Sequence, residues 1–462
     1  VRRLHISLAL TGLYLLLAAA PLIRAQYGLD FPPLPSDTYT PRQRKIKILD
    51  RYPLKPSLPP AFTIPVGPLG FFVPGDNYLL RHQTLMSLDF LDEDRLLFTF
   101  RVSGLMQRDV SDDPKGTPQQ IKAMVVVLST SKIESQAAWI VPDRSRYLWM
   151  LNDGHFLLRV SDGLDQGDSH LKTTSSLRLP GRLLWIQMDP SQQFIMANSL
   201  EATNASQKPG EPDSSPTSQS AASADPQKPG EQSVLVTRTL KRASGDVIRV
   251  SRVPWTGQES NWPMNSNGYL ERVHEGSDHW LLKLNAYAGG DRVLARLDST
   301  CLPKYSYLSE TELLVTKCDP NNDNVGKLAA ISTHGELLWE VQTSTNAIWP
   351  LLATSTNGLR MARETLLLKR SVERYKRRML SVADFEGQMV RIFDAANGKV
   401  MLEAPLTPIL DAGGNVAISP SGQRVAILNA GAIQIFQLPA PAPLLLHSAR
   451  TSDPTGPLHN GQ

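Results

Sequence analysis

The chain has 462 residues, 41% hydrophobic and 20% charged, which is enough apolar material for a large buried core. Its formal net charge is +4, and Arg2, Arg3 and Arg24, all close to the N-terminus, carry three of those charges. The nearly neutral remainder lacks the field that would hold nucleic acid or an anionic membrane, so neither is expected as a partner.

Taken in chain order, Arg2 and Arg3 precede an uncharged apolar run, Ile6–Leu22. Ala25, just before Gln26, then places a small residue where a signal peptidase cleaves. This three-part pattern predicts a secretory signal over 1–25 and an exported protein, periplasmic or extracellular, with no integral membrane segment after cleavage. An uncleaved N-terminal anchor is the alternative, because the run is almost long enough to span a bilayer. Residues 26–77 are rich in proline, with Pro32, Pro33, Pro35, Pro53, Pro56, Pro59, Pro60, Pro65, Pro68 and Pro74. Such a stretch predicts an extended segment that lies along a surface or acts as a spacer.

From 78 to 438 the pattern changes to short apolar runs bounded by Gly, Asp, Asn, Ser and Pro. Examples are RLLFTFRV (Arg95–Val102), RLLWIQM (Arg182–Met188), SVLVTRTL (Ser233–Leu240), HWLLKLNAY (His279–Tyr287), ELLVTKC (Glu312–Cys318) and AIQIFQL (Ala432–Leu438). Their length suits strands rather than helices, and Val390-Arg391-Ile392-Phe393 alternates as a half-buried strand does. Turn signals separate them. Asn397-Gly398 supplies the positive φ of a tight hairpin, and Ser244-Gly245, His334-Gly335 and Ser421-Gly422 are similar joints. The fold class is therefore all-β.

Two segments share one turn grammar: ISPSGQRVAIL (Ile418–Leu428) and MDPSQQFIMAN (Met188–Asn198) each end a strand, turn on Pro-Ser and begin another. Together, VRIFDAANGKVMLE, VAISPSGQRVAILNAGAIQIFQL and GELLWEV resemble the blade joints of bacterial secreted WD40-like and quinoprotein-like β-propeller repeat proteins, most clearly at the end of the domain. The Trp-Asp blade ending and the cofactor-contact repeats of true quinone dehydrogenases are not found. The resemblance implies a β-propeller, and the length of 78–438 less its insertions gives about seven four-stranded blades. Ring closure is expected to pair an N-terminal strand, Thr84–Phe90, with the last blade.

Two insertions interrupt the pattern. Residues 201–232 are rich in Ser, Pro, Ala and Gln, repeat QKPGE, and are expected to form a disordered loop. Residues 360–378 carry Arg360, Arg363, Lys369, Arg370, Arg374, Lys376, Arg377 and Arg378 and read as a basic insertion, either a solvated loop or a rim patch for an acidic partner. Residues 439–462 read as a disordered tail.

Few residues suggest chemistry. Cys301 and Cys318 are the two cysteines, and an exported body permits a disulfide between them. Asp319, Asn321 and Asp323 place oxygen ligands at alternate positions, as calcium loops do, although Asn324 and Ala330 stand where such a loop has Gly and Glu. An Asx-rich turn explains the same residues. His274 and His279 lie in a polar hairpin. Trp139, Trp149, Trp185, Trp280 and Trp339 sit on strand-like runs and read as packing residues. Trp255 and Trp262 flank a polar loop and are the candidates for a binding surface.

No nucleophile elbow, phosphate loop or Cys-x-x-Cys pair occurs. The reading is an exported, monomeric propeller that binds a protein or a glycan, with no cofactor beyond a candidate Ca²⁺. A hydrolase or lyase assembled from several blades is the alternative, and a quinone-dependent oxidoreductase is a third reading that rests on GELLWEV alone.

Overall fold

The computed structural model describes residues 51–73, 86–102, 119–142, 146–160, 163–202, 233–255, 262–276, 278–344, 347–348, 352–369, 380–410 and 412–440, with backbone alone at 322–324. Alternating side chains give each short run one face for either neighbour, and antiparallel pairing joins the runs four at a time into seven sheets. The result is a seven-bladed β-propeller. Strands a to d of each blade run from the central channel outward.

Blade 1 consists of Met86–Phe90, Arg95–Arg101, Gln119–Val127 and Lys132–Val141, and blade 2 of Leu148–Met150, Phe156–Val160, Gly163–Gly167 and Thr173–Arg178. Blade 3 contains Arg182–Met188, Phe194–Ala202, Ser233–Lys241 and Val247–Pro254; blade 4 contains Met264–Asn265, Gly268–His274, His279–Ala286 and Asp291–Asp298. Blade 5 is Lys304–Tyr307, Glu312–Asp319, Asn322–Ser332 and Leu337–Ser344. In blade 6 the inner strand is split into Ala347–Ile348 and Leu352–Thr354, followed by Arg360–Leu368, Phe385–Asp394 and Val400–Leu406. Blade 7 takes Val416–Ile418, Arg424–Asn429 and Ala432–Gln437 from the end of the chain and Phe62–Pro65 from its beginning.

Ring closure differs from the sequence expectation. Met86–Phe90 is the inner strand of blade 1, and the closing strand is Phe62–Pro65, paired antiparallel with Ala432–Ile435. Pro65 is the last residue of this strand and does not break it, because an outermost strand leaves N–H positions unpaired and tolerates their loss. The Pro-rich segment is thus part of the core: Ile64, Val66, Leu69 and Phe71 are buried against Leu88, Phe98 and Ile435.

The basic insertion is also corrected. Arg360–Leu368 is strand b of blade 6, and all nine residues are buried. Arg360 is buried because its charge is met: Nη1 donates to Asp394 at 2.7 Å and Nη2 to the Pro439 carbonyl at 3.1 Å. Glu364 on the same strand is fully buried, accepting from Gln388 Nε2 at 2.9 Å and from the Gly414 N–H at 3.3 Å. Residues 370–378, like the leader, most of the 201–232 insertion and the tail from 441, lie outside the described residues.

The two ends of the strands are unlike. At one end the a–b turns are short and are bonded to each other. Gln192 accepts from the Asn152 N–H at 2.7 Å, Glu310 from the Ser191 and Ser266 N–H groups at 3.0 and 2.9 Å, and Glu93 from the Ser421 N–H at 2.7 Å. Asn357 Nδ2 donates to the Ser421 carbonyl at 2.9 Å. The two Pro-Ser turns seen in the sequence both belong to this set. The opposite end carries the long b–c and d–a connections, including those through 102–118, 203–232, 255–263 and 369–384.

Candidate binding cleft between blades 3 and 4

Apolar clusters fill the joints between blades 7 and 1, 1 and 2, 2 and 3, 4 and 5, 5 and 6, and 6 and 7. Among the described residues, no such cluster spans blades 3 and 4. The cause is the strand alternation itself. On blade 3, Leu183, Ile186, Ile195, Ala197 and Leu240 face blade 2. The alternate residues, Trp185, Gln187, Met196, Asn198, Leu235, Thr237 and Thr239, therefore face blade 4. On blade 4, Leu270, Leu282 and Leu284 face blade 5, which turns Met264, Tyr269, Glu271, Leu281, Lys283 and Asn285 toward blade 3.

Register aligns these groups into a polar row across blade 3. Trp185 lies opposite Asn198, Asn198 opposite Thr237, and Thr237 opposite Ser251. The row runs from fully buried Asn198 near the channel to exposed Ser251 at the rim. Several polar atoms at this joint have no protein partner: both amide atoms of Asn198 and Trp185 Nε1 in the row, Gln187 Oε1 on the next row, and the Tyr287 hydroxyl on blade 4. Buried polar atoms are nearly always paired, and an unpaired one costs about 1–3 kcal/mol, so their gathering on one interface needs an account.

The cleft closes toward the a–b end. Arg249 Nη1 donates to the Ala286 carbonyl at 3.2 Å and its guanidinium lies 5.7 Å from the Tyr269 ring centre. Phe194 packs on Tyr287 with ring centres 6.0 Å apart. Toward the rim, Val253 on blade 3 and Val293 on blade 4 are 42% and 44% exposed. On the walls, Asn285 Nδ2 donates to Glu271 at 3.2 Å and Lys283 lies 3.4 Å from Asp291. Below the cleft, burial raises the Asp189 carboxyl above its ordinary range, hydrogen bonds from Ser191 and Phe194 oppose this, and the neighbouring Glu310 adds to the rise. Burial likewise raises the Tyr287 hydroxyl.

The binding-surface candidates of the sequence lie at this cleft. Trp255 follows the outer strand of blade 3, its N–H bonded to the Ser233 carbonyl at 3.0 Å, and Trp262 precedes blade 4 with its ring 5.3 Å from Tyr269. They bracket the connection between the two blades. Asn198, Thr237, Trp185 and Gln187 were not singled out as a site by sequence; the signal was polar residues at alternate positions of three neighbouring strands.

The remaining candidates are dispersed. Cys301 and Cys318 form a disulfide in blade 5, Cα atoms 5.5 Å apart. Asp319 accepts from the Asn321 N–H at 2.9 Å and lies 3.2 Å from Lys327 Nζ, so an ammonium already faces this carboxylate. Asn321 is exposed, and the Asp323 side chain lies outside the described residues. Among the described residues, no three His, Cys, Asp or Glu side chains gather as metal ligands. His274 stacks on Trp280 at 4.3 Å, while His279 pairs with Asp298 at 2.8 Å. Trp139, Trp149 and Trp339 are buried between blades. No described helix is long and apolar enough to cross a membrane.

No protein-family model and no curated protein matches the sequence. Solved structures to which the chain is similar include the acylaminoacyl peptidase of Pyrococcus horikoshii, at 11% identity and TM-score 0.42, covering 77% of this chain and 51% of that one. An uncharacterised protein of Listeria monocytogenes covers 77% of this chain and 94% of its own, at 9% identity and TM-score 0.43. The WD40 domain of Toxoplasma gondii coronin covers 78% and 82%, at 8% identity and TM-score 0.41. This chain spans about half the length of the peptidase. The protein is a seven-bladed β-propeller.

Proposed function

We propose that this chain is an exported binding propeller that receives its ligand in the cleft between blades 3 and 4. The observation that carries the reading is the row Trp185–Asn198–Thr237–Ser251, whose inner members hold polar atoms without a protein partner while six other joints are sealed by apolar side chains. A propeller stabilised by its other joints tolerates one polar joint, and a ligand that supplies the missing partners recovers the desolvation penalty on binding. Trp255 and Trp262 at the rim offer rigid contact area. Export is supported by the leader pattern of residues 1–25 and by the Cys301–Cys318 disulfide, which suits an oxidising compartment.

Site-specific photocrosslinking in the producing cell tests the location. Benzoylphenylalanine in place of Ser251 at the cleft mouth is expected to give a discrete adduct. The same group in place of Ser175, exposed on the outer strand of blade 2, is expected to give none. Equal labelling at both positions, or none at 251, refutes the reading.

A further inference from the structure

We infer that the outer edge of blade 3, Val247–Pro254, docks an extended acidic segment of a partner protein, which adds to the blade as a fifth strand. This surface is the edge of the sheet and lies beyond the cleft proposed above. An exposed edge is a template for pairing, and proteins blunt it with short strands, proline, charge or a covering segment. Two other blades do so here. The outer strand of blade 7 is four residues long and ends on Pro65. Along the outer strand of blade 6, the Ser57 N–H donates to the Glu403 carbonyl at 2.8 Å, and the Ser57 hydroxyl accepts from the Glu403 N–H at 2.9 Å. Blade 3 instead ends on an eight-residue strand with proline only at its last position, and no described strand pairs beyond it.

Sequence and register prepare this edge for a further strand. Val247, Ile248, Val250 and Val253 are 38–50% exposed, and among the described residues no other outer strand carries more than two exposed large apolar side chains. Their β-branched side chains hold the backbone extended. The Trp255 N–H bonds inward to the Ser233 carbonyl at 3.0 Å, so by alternation Val253, Ser251 and Arg249 also bond inward. The N–H and C=O groups of Val250 and Arg252 therefore point outward. Strand addition draws affinity from such main-chain groups and specificity from alternate side chains.

Charge selects the occupant. The strand VIRVSRVP holds two arginines and no acid. Arg249 is engaged by the Ala286 carbonyl, whereas Arg252 is exposed, with no hydrogen bond or ion pair among the described residues. Arg252 lies opposite Val236, on the same side as Leu240, and so faces blade 2, whose outer strand Thr173–Arg178 also lacks an acid. A second copy of Val247–Pro254 would bring two more arginines and no carboxylate, and like charges across a strand pair oppose association. An aspartate or glutamate opposite Arg252 makes the favourable pair.

The test selects a displayed library of random ten-residue peptides against the full chain. Enriched sequences are expected to alternate β-branched with acidic residues. Val250→Pro removes an outward N–H and no bond within the blade; Arg252→Glu reverses the charge. Each is expected to weaken binding of the enriched peptide about tenfold with an unchanged melting temperature, and the second variant serves if the first folds poorly. Arg252→Glu is also expected to bind the same peptide once lysine replaces its acids. No enrichment, enrichment without acids, or equal binding by the wild-type chain and both variants overturns the inference. So does a wild-type dimer that Val250→Pro converts to a monomer, because a second copy then occupies the edge. Neither substitution alters Trp185, Asn198 or Thr237, so failure of the edge leaves the cleft reading standing.

Discussion

Glu93 in the first blade accepts a hydrogen bond from the backbone N–H of Ser421 in the last, 2.7 Å apart in space and 328 positions apart in sequence. Arg424 strengthens the tie by donating to the Glu93 carbonyl at 2.6 Å. Together with the strand Phe62–Pro65, these bonds join the two ends of the chain into one ring. The closing strand covers the edge of Ala432–Gln437 and leaves the blade only a short outer edge.

The closing strand has a measurable consequence. Ile64 is 3% exposed in the joint between blades 7 and 1, whereas Leu54, in the same Pro-rich segment, is 94% exposed. Ile64→Ala is expected to lower the unfolding free energy by about 2–5 kcal/mol, and Leu54→Ala to leave it unchanged. Urea unfolding checks both, and equal effects would contradict the placement of Phe62–Pro65.

The belt of turns depends most on Glu310, whose carboxylate accepts from the Ser191 N–H, the Ser266 N–H and the Ser266 hydroxyl. Glu310→Ala leaves these donors without their acceptor and is expected to destabilise the fold by about 2–3 kcal/mol. Calorimetry checks this, and a change within error would show that the belt contributes nothing.

Stability is expected to fall as pH rises. Burial pushes Glu364 up to about 8, against opposing hydrogen bonds from Gly414, Gln388 and Asn415, while in the unfolded chain a glutamate titrates near about 4.3. The folded state therefore holds a proton that the unfolded state has released. The stabilisation is complete below the unfolded value and is lost as pH rises toward the folded one, with a slope of up to about 1.4 kcal/mol per pH unit. Asp89, pushed up to about 6 by burial, acts in the same direction over the lower part of the window. Glu364→Gln is expected to flatten the slope between pH 6 and 8, which lies inside the window set by these values. Urea midpoints across that range check it, and an unaltered slope in the variant would contradict it.

The Cys301–Cys318 disulfide closes a loop with a sequence separation of 17, and constraint of the unfolded chain by such a loop is worth about 3 kcal/mol. Reductant is expected to lower the melting temperature of the wild-type chain and to leave a Cys301→Ser, Cys318→Ser double variant unmoved. Equal responses would show that the bridge adds no stability.

The architecture was legible because it depends on short-range rules. Run length, alternation and Asn397-Gly398 type turns read directly as hairpins, and Gly398 carries the expected positive φ of 69°. Its missing side chain also makes room for the Trp339 ring, which approaches within 2.6 Å of where a Cβ would stand. That contact joins two blades and has no local signature. The closing strand was missed for a related reason: proline density in 26–77 argues against regular structure, and only the distant partner Ala432–Ile435 overrides it. Arg360 and Arg363 looked solvated because a buried arginine is recognised through its acceptors, and Asp394 and Pro439 lie far along the chain. The cleft was half legible. Trp255 and Trp262 stand out beside a polar loop, but Asn198 and Thr237 look like ordinary polar residues on the wet face of a strand until the neighbouring blade covers them.

The polar joint itself is tested most directly by Asn198→Leu in the ligand-free protein. Both amide atoms of Asn198 are buried without a protein partner, so an apolar side chain of similar volume removes a desolvation penalty and adds packing. The account predicts a higher urea midpoint for the variant than for the wild-type chain. A lower midpoint would mean that the Asn198 amide is already satisfied within the fold, and the cleft would lose the feature that marks it as a binding site.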